Sequence, residues 1–512
     1  MKATPLNRLD LALMLAIVVI AIFARVLPSP RNVDDSFITF RYSRNIVEGK
    51  GFVYNEGERV LGTTTPLFTV LMAAISAMVG GQDFPYYALT VSALADAATA
   101  MLLLLIMRRL TGNRWAGALI GVLWAIAPIS VTFAIGGMET SVNILWIVLA
   151  TYCYLEDRPI WLGVAVGLGL LTRIDAALWI APLGLHQVWE AWRKGDGALI
   201  RRLPWRTWIA ALLVITPWLI FSFAYFGTPV TRTFSAKIVA YKVDSLQAFV
   251  RLTQQYSTPF FEFDTVGSTG TMIAAVVYLT LSVFGLLHVG RKLPRLLPFL
   301  IYPWLYFAVF AIANPLIFRW YLAPPMPALM MGLLAGLCYV ITPKRRVFPY
   351  ALAVVGAAWI GMSLNAWTLH PDHGPDRPAP KMAWHKIELL YQEVGTELRE
   401  KYGVTDETVV ASADIGAIGY FTRARIIDMV GLVTPDAAQY YPLDPALVAS
   451  DQNFAIPAPL ILDKQPAYLV TMEGFVRLTL EPQAAFKQLY GDPIIVRPFE
   501  AYGSDMRVYK HQ

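Results

Sequence analysis

Asp34 and Asp35 stand side by side in Asn32-Val33-Asp34-Asp35-Ser36-Phe37-Ile38-Thr39-Phe40-Arg41-Tyr42, just after an apolar run from Leu11 to Leu27. Neighbouring carboxylates repel, so such a pair needs a proton, a cation or a basic group, and suits a general base or a divalent-cation site. Asp34 is equally placed to cap a following helix, with Phe37, Phe40 and Tyr42 as that helix's membrane-facing side. Further charges interrupt apolar segments at Glu139, Arg173, Asp175, Lys237 and Arg319. Glu139 fits either a helix cap or a third acid beside the pair. Carboxylates such as Asp34, Asp35 and Glu139 prefer magnesium, manganese or calcium over zinc, but no ligand spacing decides whether a metal is used. Arg319, beside Trp320 and Tyr321, also suits an interfacial anchor.

The surrounding segments give these charges a common position. Of the 512 residues, 56% are hydrophobic and 15% charged, and the mean hydropathy is +0.50, outside the range of soluble domains. The apolar pattern predicts an α-helical polytopic membrane protein of about eleven spans, near 10–28, 86–107, 115–135, 140–156, 159–172, 176–191, 206–226, 271–290, 296–313, 321–341 and 347–367. Lys2 and Arg8 before the first run imitate a secretory leader, but its length and the following spans favour a retained helix. Basic loops at Arg108/Arg109/Arg114, Arg193/Lys194/Arg201/Arg202/Arg206, Arg291/Lys292/Arg295 and Lys344/Arg345/Arg346 belong on the cytoplasmic side. That requirement places the N-terminus inside, makes Pro66 to Val79 an interfacial helix, and gathers Asp34, Asp35, Glu139, Arg173, Asp175, Lys237 and Arg319 at the outer face of the plasma (inner) membrane.

After the membrane part, 1–368, a polar Pro-rich linker, 369–380, leads to a tail, 381–512. Helical spacing of Ile387, Leu390, Tyr391, Val394 and Leu398 is followed by strand-like runs at Val409 to Ala413, Arg425 to Asp428, Ala467 to Thr471, Ile494 to Pro498 and Met506 to Tyr509. A soluble extracytoplasmic α/β domain is expected. Trp384, Tyr391, Tyr440 and Tyr441 suit either packing or stacking on sugar rings. The net charge of +6 lies in the short loops, so it reports topology and argues against a nucleic-acid partner. Cys153 and Cys338 fall in separate spans, and no phosphate-binding glycine loop, HExxH or CxxC motif is present.

The Asp34-Asp35 start of the first loop, Gly137-Met138-Glu139-Thr140, Leu171-Thr172-Arg173-Ile174-Asp175, Gly227-Thr228-Pro229 to Ala236-Lys237 and Phe318-Arg319-Trp320-Tyr321-Leu322-Ala323-Pro324 follow one another in an order that resembles polytopic GT-C glycosyltransferases. The likeness is to bacterial polyprenyl-phosphate-sugar-dependent enzymes, including arabinofuranosyltransferases and the lipid A aminoarabinose transferase. Asp414-Ile415-Gly416-Ala417-Ile418-Gly419-Tyr420 with Ile426-Ile427-Asp428 resembles the outer domain of the arabinofuranosyltransferase branch.

The resemblance implies transfer of a pentose or hexose from a polyprenyl-phosphate carrier to a hydroxyl of a cell-envelope glycan, glycolipid or protein, with inversion. In that reading Asp34 or Asp35 is the base and Glu139 positions the acceptor or shares a cation. Lys237, Arg319, Arg173, Tyr321 and Arg41 contact the donor phosphate, while Asp175 has an acceptor-side or structural role. A transporter or flippase of a lipid-linked sugar is the alternative; clustering of the charges at one face and the appended domain weigh against it.

Overall fold

The computed structural model describes residues 6–195, 198–231, 233–260, 265–342, 346–368, 384–499 and 504–512. The linker expected at 369–380, and Lys344 and Arg345, lie outside the described residues. Every expected span is helical: α1 (Arg8–Val26), then after α2 (Asp34–Val47) and α3 (Pro66–Val79) come α4 (Phe84–Thr111), α5 (Arg114–Ile126), α6 (Pro128–Ile135), α7 (Thr140–Leu155), α8 (Pro159–Thr172) and α9 (Ala177–Arg193). A short α10 (Leu199–Arg202) precedes α11 (Trp205–Phe226), α12 (Thr233–Ala240), α13 (Gln247–Ser257), α14 (Gly267–Lys292), α15 (Leu297–Ala313), α16 (Met326–Val340) and α17 (Phe348–Thr368). The chain is a multi-pass membrane protein. Among the described residues seven helices are long and apolar enough to cross a bilayer, or eight when α5 and α6 count as one bent span. The others expected to cross are shorter; α8, with 14 residues, rises only about 21 Å.

Ion pairs gather the basic loops at one end of the bundle. Arg108 reaches Asp10 at 3.1 Å, Arg109 pairs with Glu156, and Arg295 holds Glu190 at 2.8 Å and also pairs with Asp157. The first loop lies at the opposite end, because α1 runs from Asp10 toward Arg25.

Between the two ends lies a buried charge pair that the sequence reading passed over. Pro128 has no N–H, so the ladder breaks between α5 and α6, which are bent by 45°. Arg25 fills the gap: Nη1 donates to the Ala125 carbonyl at 2.8 Å, Nη2 to Ser130 Oγ at 2.6 Å, and Nε to Asp96 at 2.8 Å. Asp96 also accepts from Ser141 Oγ and Trp124 Nε1. Both charges are fully buried, and in an apolar bundle neither survives without the other.

The tail contains α18 (Trp384–Glu400), β1 (Val409–Ser412), α19 (Gly416–Thr422), β2 (Arg425–Asp428), α20 (Ala458–Lys464), β3 (Tyr468–Met472), α21 (Ala484–Tyr490), β4 (Ile495–Phe499) and β5 (Ser504–Lys510). The sheet order is β2-β1-β3-β5-β4, with β2, β1 and β3 parallel and β5 antiparallel to β3 and β4. The five expected strands are present within two residues of their expected limits. The tail core is continuous with the first loop: Phe37, Phe40, Tyr42, Phe52 and Tyr54 join Tyr391, Ile418, Ile426 and Leu469 in one buried apolar cluster. Phe37, Phe40 and Tyr42 are therefore not membrane-facing. Phe37 packs on Tyr420 and Phe421, Phe40 stacks on Phe84, and the Tyr42 hydroxyl donates to the Val60 carbonyl.

Asp96→Ala, which leaves Arg25 buried and unpaired, is expected to cost about 3–5 kcal/mol of folding stability. Denaturant or thermal unfolding of the purified protein in detergent checks this, and an unchanged midpoint would rule out the pair as a major contributor.

Candidate active site

The start of α2 is set by backbone pairing. The Arg31 N–H donates to the Ile135 carbonyl at 2.7 Å and the Val33 N–H to the Gly136 carbonyl at 3.1 Å. Gly137, at φ 76°, makes the turn that follows; a Cβ there would overlap the Asn32 amide, so only glycine fits. The Glu139 segment is thereby held against the Asp34-Asp35 segment across about a hundred residues of sequence.

The two acids face different partners. Asp34 is turned to the tail, its Oδ2 accepting the Gly416 N–H at 2.8 Å and its Oδ1 the Ala417 N–H at 2.7 Å. Gly416 permits the approach, since a Cβ would overlap the Asp34 carbonyl oxygen. Asp35 is turned to α12, where Lys237 Nζ donates to its Oδ2 at 3.2 Å and lies 4.5 Å from the centre of the Phe318 ring. Asp35 keeps 30% of its side chain accessible and Lys237 14%. Both line a cavity of about 160 Å³, walled by Tyr241, Phe318 and Trp320 from the membrane part and by Glu388, Tyr391 and Asp414 from the tail.

A second group adjoins this one. Arg173 grips Asp175 through Nε and Nη2 at 2.9 and 3.1 Å and Glu139 through Nη1 at 2.7 Å, and its guanidinium lies 5.0 Å from the centre of the Tyr321 ring. The Tyr306 hydroxyl donates to the Tyr321 carbonyl. Arg319 sits between Phe318 and Trp320, two walls of the cavity. The structure thus brings together Asp34, Asp35 and Lys237, and next to them Glu139, Arg173, Asp175 and Tyr321.

Two expectations need correction. Arg41 does not reach this cavity. It is buried at the seam with the tail, donating to the carbonyls of Tyr54, Gly419 and Ala424 and to Asn55 Oδ1. It fastens the tail to α2. Asp34, Asp35 and Glu139 do not converge as a metal set either, because each is turned to a different partner, and no group of three or more His, Cys, Asp or Glu among the described residues is arranged to hold a metal ion.

The sequence reading missed Glu388 as a site residue, gave no chemical role to Asp414, and offered Tyr391 only for packing or sugar stacking. A signal was present: Glu388 is an acid three residues before Tyr391 on the otherwise apolar face of α18. Tyr391 donates its hydroxyl to Asp414 at 2.7 Å. Burial, with the neighbouring acids, pushes Asp34 up to about 8 despite its two backbone N–H donors. Burial likewise raises Asp414, and raises Glu388 well above the carboxylate range, with Asp34 and Asp414 adding to the latter shift. Glu388 Oε2 is buried with no hydrogen-bond partner, so it is the acid best suited to hold the cluster's proton. Lys237 is buried, but Asp35 and Tyr321 raise its pKa and keep it a cation.

Residues 53–221 match the family model described as dolichyl-phosphate-mannose-protein mannosyltransferase, and residues 382–509 match a domain family of unknown function. The chain is 27% identical over 230 residues to the terminal beta-(1->2)-arabinofuranosyltransferase of Mycobacterium tuberculosis, covering 40% of this chain and 35% of that protein. It thus spans about a third of that relative's length. Among solved structures, ArnT from Cupriavidus metallidurans in the apo state superposes with a TM-score of 0.59 at 14% identity, covering 98% of this chain and 97% of that one. AglB from Archaeoglobus fulgidus does so with 0.54 at 12% identity, covering 94% and 72%. The fold is that of the GT-C glycosyltransferases. The cavity lies between the membrane helices and the appended domain, and both parts supply charged groups to it.

The shared proton gives a signed pH dependence. The raised carboxyl groups bind more protons folded than unfolded between their ordinary value of 3.8 and the folded value of about 8 for Asp34. Stability is therefore full below that window and falls as pH rises through it, at up to about 1.4 kcal/mol per pH unit for each proton. The melting temperature is expected to drop between pH 5 and pH 9, and Glu388→Gln to flatten the slope. Gly416→Ala, which drives a Cβ into Asp34, is expected to speed hydrogen exchange in α2 and α19; unchanged exchange would contradict the docking role of Asp34.

Proposed function

We propose that the protein transfers a sugar from a polyprenyl-phosphate carrier to an acceptor hydroxyl at the outer face of the membrane, with inversion and with Asp35 as the base. The observation that carries this reading is the Lys237–Asp35 pair, open to a cavity that both parts of the chain enclose. ArnT has been solved bound to undecaprenyl phosphate and AglB in complex with a dolichol-phosphate, and the matched family model and the relative are described as glycosyltransferases.

The chemistry suits these side chains. The leaving group is a phosphate, already a stable anion, so departure requires a cation and no proton donor. Lys237 supplies that cation, and Arg319 follows the wall residue Phe318 in the chain. An acceptor hydroxyl is a poor nucleophile until a base takes its proton. Asp34 is engaged by two tail N–H groups, whereas Asp35 has one partner and open surface. When donor phosphate draws Lys237 away, the Asp35 carboxylate is left without its ion-pair partner and open to an acceptor hydroxyl. Arg173, clamped by Glu139 and Asp175, supports the ring of Tyr321 beside the cavity instead of binding phosphate directly.

The reading is tested on purified protein in lipid with a panel of polyprenyl-phosphate sugars. Asp35→Asn is expected to lower turnover about 10²- to 10⁴-fold while donor still binds. Lys237→Ala is expected to weaken donor binding by roughly one to two orders of magnitude. Labelled lipid crossing the bilayer with no donor consumed would replace transfer by transport.

A further inference from the structure

A second cavity, of about 210 Å³, opens along the seam between α2 and the tail. It is separate from the first: Asp34 and Asp35 face one, Arg44 and Asn45 the other, about 15 Å along the same helix at 1.5 Å per residue. Its rim charges are paired. Lys50 meets Glu48, Glu56 and Asp406, Arg423 meets Glu48, and Arg425 meets Glu58. Arg44 is different. It is 4% exposed and has no carboxylate within ion-pairing distance among the described residues. Its Nη1 donates to the Tyr420 carbonyl at 2.9 Å and its guanidinium lies 4.5 Å from the centre of the Tyr420 ring, which fixes the plane. Nε is buried without a partner, and no acceptor among the described residues is bonded to Nη2.

An arginine held in this way keeps Nε shut inside and offers Nη2 to the cavity, a charged donor for an oxygen of a carboxylate or phosphate. Leaving such a cation buried and unpaired is unfavourable, the more so with Arg41 and Arg423 nearby: burial first, then these two cations, lower the Arg44 pKa to about 10. The rim carboxylates offer acceptors for hydroxyl groups. We propose that this seam cavity binds an oxyanion carried on a sugar, with Arg44 gripping the anionic group and the rim taking the ring hydroxyls. The site does not depend on the transfer reading, and its occupant would bridge α2 and the tail.

Isothermal titration of the full-length protein in detergent with glucuronate, glucose 6-phosphate, glucose and inorganic phosphate tests this. Saturable binding is expected for the two acidic sugars and none for glucose, with inorganic phosphate at least about tenfold weaker than glucose 6-phosphate. Arg44→Gln should weaken acidic-sugar binding by about tenfold or more, matching one charge-assisted bond, and Lys237→Ala, which removes the cation of the first cavity, should leave it unchanged. Because Arg44→Gln could disturb the seam itself, the wild-type comparison decides alone: equal binding of glucuronate and glucose, or none of either, overturns the proposal. Phosphate as tight as glucose 6-phosphate removes the sugar from it, and loss of binding in Lys237→Ala moves the probe to the other cavity.

Discussion

The arrangement around both cavities depends on one contact, the carboxylate of Asp34 accepting two backbone N–H groups at the start of α19. A charge-assisted bond to paired amides, away from water, is strong and directional. It sets where the tail rests on α2. Arg41 repeats the device one to two turns further on, donating to carbonyls near the end of α19. The first helix of the loop thus grips both ends of one tail helix, with an acid at its amides and a base at its carbonyls. The apolar cluster shared by α2 and the tail fills the space between.

That docking has an electrostatic cost which the cavity retains. Bringing Asp414 and Glu388 up to Asp34 places three buried acids together, and a buried carboxylate among its like favours the protonated form. Asp35, one residue along the helix, escapes this cluster because the helical turn directs it to Lys237. Adjacent residues with the same side chain therefore differ in role: one holds two parts of the protein together, the other remains available to a reactant.

Within the membrane part the same logic holds with a different purpose. The break at Pro128 exposes carbonyls that nothing in lipid can satisfy, and Arg25 answers them only because Asp96 balances its charge. The pair supports the α6–Gly137 corner to which the first loop is tied, so a charge deep in the bundle helps to position acids at its end.

Composition and the apolar runs were enough to identify a polytopic membrane protein, the helical segments and a separate α/β tail, because lipid demands long apolar helices and sheet strands need alternating or buried runs. The topology required by the basic loops also gathered Asp34, Asp35, Glu139, Arg173, Asp175, Lys237 and Arg319 at one face. Their partners were not legible. Which of two adjacent acids meets the tail depends on helix phase and on a glycine some 380 positions away. Arg41 read as a free cation in the sequence, but its acceptors are carbonyl oxygens, which carry no side-chain signature. Phe37, Phe40 and Tyr42 looked lipid-facing for the same reason: an apolar face says that something will cover it, and only the tertiary structure decided that the cover is the tail.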